Sequence, residues 1–101
     1  MNMLAQLKPT ILNEYVGTQF EVLDDPSRAF HLTLTNVIEH VSTEHQETFS
    51  IYFHGPTDAF IPQGIHRLNH DRLGNLDIFL VPVSQDKDGF EYEAVFNHTI
   101  H

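Results

Sequence analysis

Phe30-His31-Leu32-Thr33-Leu34-Thr35 alternates apolar and polar side chains with a period of two, the pattern of a β-strand with one buried and one wet face. The apolar pair Val37-Ile38 breaks that alternation, which predicts a bulge or a switch of face near Asn36. Upstream, Gln19–Leu23 reads as a shorter strand closed by the turn Asp24-Asp25-Pro26-Ser27. Downstream, Phe49, Ile51 and Phe53 form the apolar row of a third strand ending at Gly55-Pro56. Gly64–His70 makes a fourth, with His66, Leu68 and His70 on one face and Ile65, Arg67 and Asn69 on the other. The fifth, Leu76–Val83, is apolar on both sides; Pro82 lacks a backbone donor and marks an edge or a bulge at its end. Asp86-Lys87-Asp88-Gly89 is a turn, and Phe90, Tyr92, Ala94 and Phe96 line a sixth strand.

Before the strands, Ile11, Leu12, Tyr15 and Val16 fall at helical spacing, so Pro9–Val16 reads as a short helix. Pro9 is tolerated in a first turn, and Gly17 suits the left-handed position that ends a helix. Two turns cannot stand alone in water, so this helix must pack on something. Six short strands joined by turn-rich loops predict an all-β, mainly antiparallel fold. With eight Phe and three Tyr to bury, a small six-stranded barrel or sandwich fits, the helix capping one open end. The 101 residues hold one domain, with an ordered core over 9–97 and a frayed tail over 98–101. The doubly apolar fifth strand needs a cover, either the Pro9 helix or a second copy of the chain.

Charge narrows the partners. Fourteen Asp and Glu against five Lys and Arg give a net charge of −9. Lys8, Arg28, Arg67, Arg72 and Lys87 are scattered and form no basic stripe, so nucleic acid is not an expected partner. An anionic membrane surface would repel the chain for the same reason. No stretch approaches the roughly 18 apolar residues of a membrane span, and the opening Met1–Gly17 lacks the features of a signal peptide. There is no cysteine, hence no disulfide and no thiolate chemistry. Together these features make the cytoplasm the expected compartment. Protonating all eight histidines would take the charge from −9 to −1, so mild acid removes most of the repulsion between copies.

Little in the sequence points to catalysis. Ser27, Ser42, Ser50 and Ser84 sit in no Gly-x-Ser-x-Gly elbow. Asp24-Asp25, Asp86 with Asp88, and Glu91 with Glu93 lie in turns or on a wet face, a solvated acidic surface with no separated acid and base. Asp86-Lys87-Asp88-Gly89 lacks the spacing and the last glutamate of a calcium loop. His40 and His45 flank a hairpin loop, where paired positions could share a metal with Glu39 or Glu44. A flexible loop supplies neither enough ligands nor a fixed second shell, and a solvated loop is the better reading. His66 and His70 lie about 13 Å apart along a strand and cannot share an ion; half-buried rings with a hydrogen-bonded nitrogen fit them better. No catalytic residue and no cofactor is expected.

The loop from Gly55 to Gly64 is more informative. It holds Phe60-Ile61 between Pro56 and Pro62, an apolar pair on a stiffened connection. One reading is a plug that closes a barrel end. The other is a rigid anchor, Phe60, Ile61, Pro62 and Gln63, that meets a partner protein with little entropy loss.

Phe53-His54-Gly55-Pro56, Ile61-Pro62-Gln63-Gly64, Leu73-Gly74-Asn75-Leu76, Phe79-Leu80-Val81-Pro82 and Tyr92-Glu93-Ala94-Val95-Phe96-Asn97 follow one another in this order. With Val16-Gly17-Thr18-Gln19-Phe20 at the start, the string resembles an uncharacterised family of small, single-domain bacterial proteins. The resemblance spans about residues 15–97 and carries no catalytic residues. Members often lie beside genes for phage tail-collar or tail-fibre-like proteins, which implies an accessory role in such an assembly. The expectation is therefore a non-enzymatic protein-interaction module. The alternative is a small-molecule or metal-dependent binding protein that uses the barrel interior and the histidines.

Overall fold

A computed structural model describes residues 7–25 and 29–99, without the side chains of His98 and Thr99. Pro26 and Ser27 of the first expected turn, and the last two residues of the expected tail, lie outside the described residues. Helix α1 covers Pro9–Leu12 and tightens into a 3₁₀ turn over Asn13–Tyr15. The strands are β1 (Gln19–Val22), β2 (Phe30–Ser42), β3 (Gln46–Gly55), β4 (Gly64–His70), β5 (Gly74–Asp86) and β6 (Gly89–Thr99). They close into a ring in the order β1-β2-β3-β6-β5-β4, antiparallel throughout.

Alternation along each strand sends one row of side chains inside. Phe20 of β1, Leu32 and Leu34 of β2, Phe53 of β3, Leu80 of β5 and Tyr92 of β6 are all fully buried. The rings interlock: Phe20 meets Phe53 edge to face at 5.2 Å, and Phe49 stacks on Phe96 at 5.0 Å, arrangements that add to simple burial. The interior is thus a packed core. β1 is the shortest strand and meets β4 at only two rungs, Glu21–Asn69 and Val22–Leu68, supplemented by a hydrogen bond from Leu23 N–H to the Arg67 carbonyl.

Two of the irregularities fall at the breaks in the sequence pattern. The β2–β3 register shifts between Leu34 and Asn36, at the break in alternation, and again between Glu39 and Val41. The β5–β6 register shifts between Pro82 and Ser84, because proline cannot donate to the ladder. Backbone pairing also carries β2, β3 and β5 past their apolar rows. β6 likewise continues through His98 and Thr99, which pair with Glu47 and Gln46 where a frayed tail was expected.

Two further expectations need correction. The helix is one α turn plus a 3₁₀ turn, with Val16 already extended. It buries Pro9 and Leu12 and leaves Ile11 and Val16 exposed, because a turn this short presents only its i, i+3 pair to the core. It packs on β2, so it does not cover the outer face of β5. There Phe79 and Val83 remain 49% and 45% exposed. Gly17, with φ of 92°, ends the helical segment in the left-handed region.

Candidate functional site

The β3–β4 connection makes the most differentiated surface. Between Pro56 and Pro62, whose rings fix their own backbone φ, the chain turns at Thr57-Asp58 and then alternates over Ala59–Pro62. Ala59 and Ile61 turn inward, 6% and 3% exposed, while Phe60 between them points out at 54%. The Ile61 N–H donates to the buried Tyr92 hydroxyl at 3.0 Å, so β6 holds the loop by its backbone. Burial pushes the Tyr92 phenol above its ordinary pKa, which keeps the neutral hydroxyl in place. The Phe60 ring leans edge-on against Phe90 at 5.1 Å. Pro62 and Gln63 follow, both exposed. Ile61 is thus buried under the loop, and Phe60 faces solvent.

Beside Phe60 lies a cleft of about 210 Å³. Val22, Phe30 and Ile61 give it an apolar floor, and Asp24, Asp25 and His66 stand among the residues that line it. His66 joins two segments here. Its Nε2–H donates to the Pro62 carbonyl at 2.7 Å, and its Nδ1 lies 3.0 Å from Asp24 Oδ2. One imidazole thus ties the segment after β1 to the Phe60 loop.

His70 is committed inside the fold. Its Nδ1 accepts from the Arg72 and Leu73 N–H groups at 3.0 and 3.2 Å, which puts the ring proton on Nε2. That nitrogen donates to Thr18 Oγ1 at 2.9 Å, and the Thr18 hydroxyl donates to the Tyr15 carbonyl at 2.6 Å. Tyr15 and Phe20 flank the ring at 5.0 and 4.5 Å. Burial lowers the His70 pKa, with Asp71 opposing and Arg72 adding to the shift. A hollow of about 520 Å³ opens next to it, lined by Glu14, Thr18, Gln19 and Arg72 among others, but both imidazole nitrogens are already engaged. His66 and His70 are thus packed, hydrogen-bonded rings on β4.

The weak metal candidates are not brought into register. His40 stands at the second bulge of β2, with Nε2 2.8 Å from Ser50 Oγ. His45 sits in the turn between β2 and β3, where its N–H donates to Thr43 Oγ1. Among the described residues no group of three or more His, Cys, Asp or Glu is gathered as a metal would need. Two of the sequence-adjacent carboxylates have structural partners as well. Asp86 Oδ1 accepts from the Asp88 and Gly89 N–H groups at 2.8 and 3.1 Å, closing the β5–β6 hairpin. Glu93 accepts from the Tyr52 hydroxyl at 2.6 Å, and this bond, with burial, raises the Tyr52 pKa.

A family model described as a domain of unknown function, DUF6916, matches residues 7–96. The chain belongs to this family. The match covers nearly the whole chain and agrees with the resemblance to an uncharacterised family. No curated protein and no solved structure matches the chain. No helix among the described residues is long and apolar enough to cross a membrane.

Two elements of this site escape sequence reasoning. Asp24 and His66 are 42 positions apart, and Ile61 and Tyr92 are 31 apart. Neither pair leaves a local periodicity. The one available signal was Tyr92 itself, a phenol in an otherwise apolar row of β6, since a buried hydroxyl calls for a partner.

Proposed function

We propose that this DUF6916 protein is a non-enzymatic interaction module that docks a partner protein on the Phe60 loop. The observation that carries this reading is the exposure of Phe60 between two buried neighbours, with its backbone tied to Tyr92 through Ile61. An aromatic ring held on a rigid support loses little entropy on binding, and such rings dominate interface energetics. Pro62 and Gln63 extend the same exposed surface. The partner is a tail-collar or tail-fibre-like protein, as the family resemblance implies, and the setting is the cytoplasm. Phe60→Ala tests the reading. The variant keeps the wild-type melting temperature within about 2 °C, as a half-exposed side chain should. It loses co-purification with the tail-fibre-like product of a neighbouring gene. An undiminished complex would refute the anchor, and a large loss of stability would make Phe60 part of the plug.

The second reading, a small-molecule binder, is supported by the cleft beside Phe60. Its volume of about 210 Å³ falls below the roughly 300–1,000 Å³ of sites that enclose drug-sized ligands. That favours a side chain of a partner as its occupant.

A further inference from the structure

We infer that His66 is a proton-operated latch on the Phe60 loop: with a proton on each ring nitrogen it ties Asp24 to the Pro62 carbonyl, and loss of either proton frees one end. The latch is read from its own geometry; its bearing on partner docking rests on the reading of Phe60 as the anchor.

Both groups that His66 touches are hydrogen-bond acceptors. The Pro62 carbonyl lies 2.7 Å from Nε2, and Asp24 Oδ2 lies 3.0 Å from Nδ1. A neutral imidazole carries one N–H and one lone pair, so it satisfies only one of them. If Nε2 keeps the proton, the Nδ1 lone pair faces a carboxylate. If Nδ1 keeps it, the Nε2 lone pair faces a carbonyl. The imidazolium donates at both ends, and its bond to the carboxylate is charge-assisted. The His66 side chain is 12% exposed and that of Asp24 37%, so a released carboxylate can turn to water while the ring stays under cover. Histidine is also the side chain whose ordinary ionisation falls near neutrality.

The charged groups that line the cleft with His66 are Asp24 and Asp25, both from the segment after β1. The loop contributes Phe60, Ile61 and Pro62, and β5 places the apolar Ile78 at the opposite rung. Arg67, next along β4, is engaged with Asp77 at 3.1 Å. Among the described lining residues no cation opposes a charged ring. Two segments depend on the latch. Asp24 follows Leu23, whose N–H donates to the Arg67 carbonyl at 2.9 Å, and Pro62 follows the buried Ile61. Closed, the latch fixes the Asp24 wall of the cleft and the Pro62-Gln63 edge beside Phe60, and a surface ordered in advance binds with less entropy loss. Open, it leaves one of the two for the partner to order. Proton uptake and closure are linked, so acid favours the closed form.

The test uses the full-length protein, labelled with nitrogen-15, at pH 6.0 and 8.5. Ring-nitrogen shifts should show His66 as imidazolium at pH 6.0. They should follow the loss of one proton towards pH 8.5, with the amides of Asp24 or Gln63 moving in step. Protection of the Leu23 amide, taken relative to β3 and β6 amides, should fall by about threefold across that range, the scale of a partly exposed charge pair. Asp24→Asn supplies an amide that can donate to the neutral ring, so its Leu23 protection should be the same at both pH values. A neutral His66 ring at pH 6.0, or proton loss that moves neither Asp24 nor Gln63, would overturn the latch. So would a Leu23 ratio as pH-dependent in Asp24→Asn as in the wild type. Docking is read separately, as affinity for the tail-fibre-like product of the neighbouring gene. That affinity should weaken by about threefold at pH 8.5 in the wild type and stay level in Asp24→Asn; a level affinity in the wild type would overturn the bearing on docking. The two proposals fail separately. An intact complex in Phe60→Ala sinks the anchor and leaves the latch, whereas a lost complex with a ring that titrates without moving the loop sinks the latch alone.

Discussion

Tyr92→Phe removes one oxygen from the centre of the fold. Tyr92 is fully buried, and its hydroxyl is the acceptor for the Ile61 N–H at 3.0 Å. The phenyl ring of the variant would fill nearly the same space, so packing changes little. What changes is that a buried backbone donor is left without its partner, a penalty of about 1–3 kcal/mol. For a domain of this length each kcal/mol moves the melting temperature by about 4–8 °C. A loss near 2 kcal/mol therefore lowers it by about 8–16 °C. Scanning calorimetry measures that shift, and hydrogen exchange locates it, since the Ile61 amide should lose protection ahead of the β3 and β6 amides. A second signature lies at alkaline pH. Burial raises the Tyr92 pKa above 10.0 in the folded state, so the native protein holds its proton where the unfolded chain releases it. Stability then falls as pH rises above about 10. The variant should lose part of that slope and keep the part due to Tyr52, whose pKa is also raised. An unchanged melting temperature with an Ile61 amide as protected as before would refute the reasoning. Packing of Ala59 and Ile61 alone would then hold the loop.

Further expectations concern the rest of the fold. The His70 pKa is lowered from 6.5 by burial, so the unfolded chain takes up a proton that the native ring refuses, and stability drops as pH falls below about 6.5. An NMR titration should place the His70 midpoint below 6.5; a midpoint at or above it would contradict the burial argument. Gly89→Ala should cost at least the roughly 1–3 kcal/mol of a strained backbone, because φ is +146° and a Cβ there would run into the Gly55 carbonyl and the His54 ring. A urea midpoint equal to wild type would refute this. Ile61→Ala should lose about 2–5 kcal/mol as a buried large-to-small change, against almost nothing for Phe60→Ala. Equal melting temperatures for the two would contradict the inward and outward assignment. Solubility should pass through a minimum near the isoelectric point of about 5.1, and a flat curve between pH 7 and 5 would contradict the charge argument.

The legible parts of the fold were those fixed by local pattern. Gly64–His70 reads to its boundaries because a glycine opens it and strict alternation follows. The break at Val37-Ile38 and the donor missing at Pro82 announce both irregular ladders. The helix was read too long because Ile11 and Val16 mimic a helical face while the chain had already tightened and then extended. The end of β5 reads too short at Val83 because Ser84, Gln85 and Asp86 are all exposed and show no period, and only backbone pairing makes them strand. Of the site, the sequence exposed the Pro-bounded Phe60-Ile61 pair and left open which residue turned inward. The cleft was hidden altogether, since its walls come from β1, the start of β2, the β3–β4 loop and β4, which meet only when the ring closes.

That closure is uneven. β1 and β4 share two rungs, while β3 and β6 pair from Gly55–Phe90 to Gln46–Thr99. A ring fastened by so short a seam has a preferred place to part, and local opening free energies in proteins are lowest where few bonds must break together. Val22 and Asp24 stand on one side of the seam and His66 on the other, all three lining the same cleft. Anything that grips the cleft also staples the seam, so occupancy and ring closure are thermodynamically linked. A bound partner should slow amide exchange along β1 and β4 by the factor 1 + [L]/Kd, and the barrel would be most complete when it is in use.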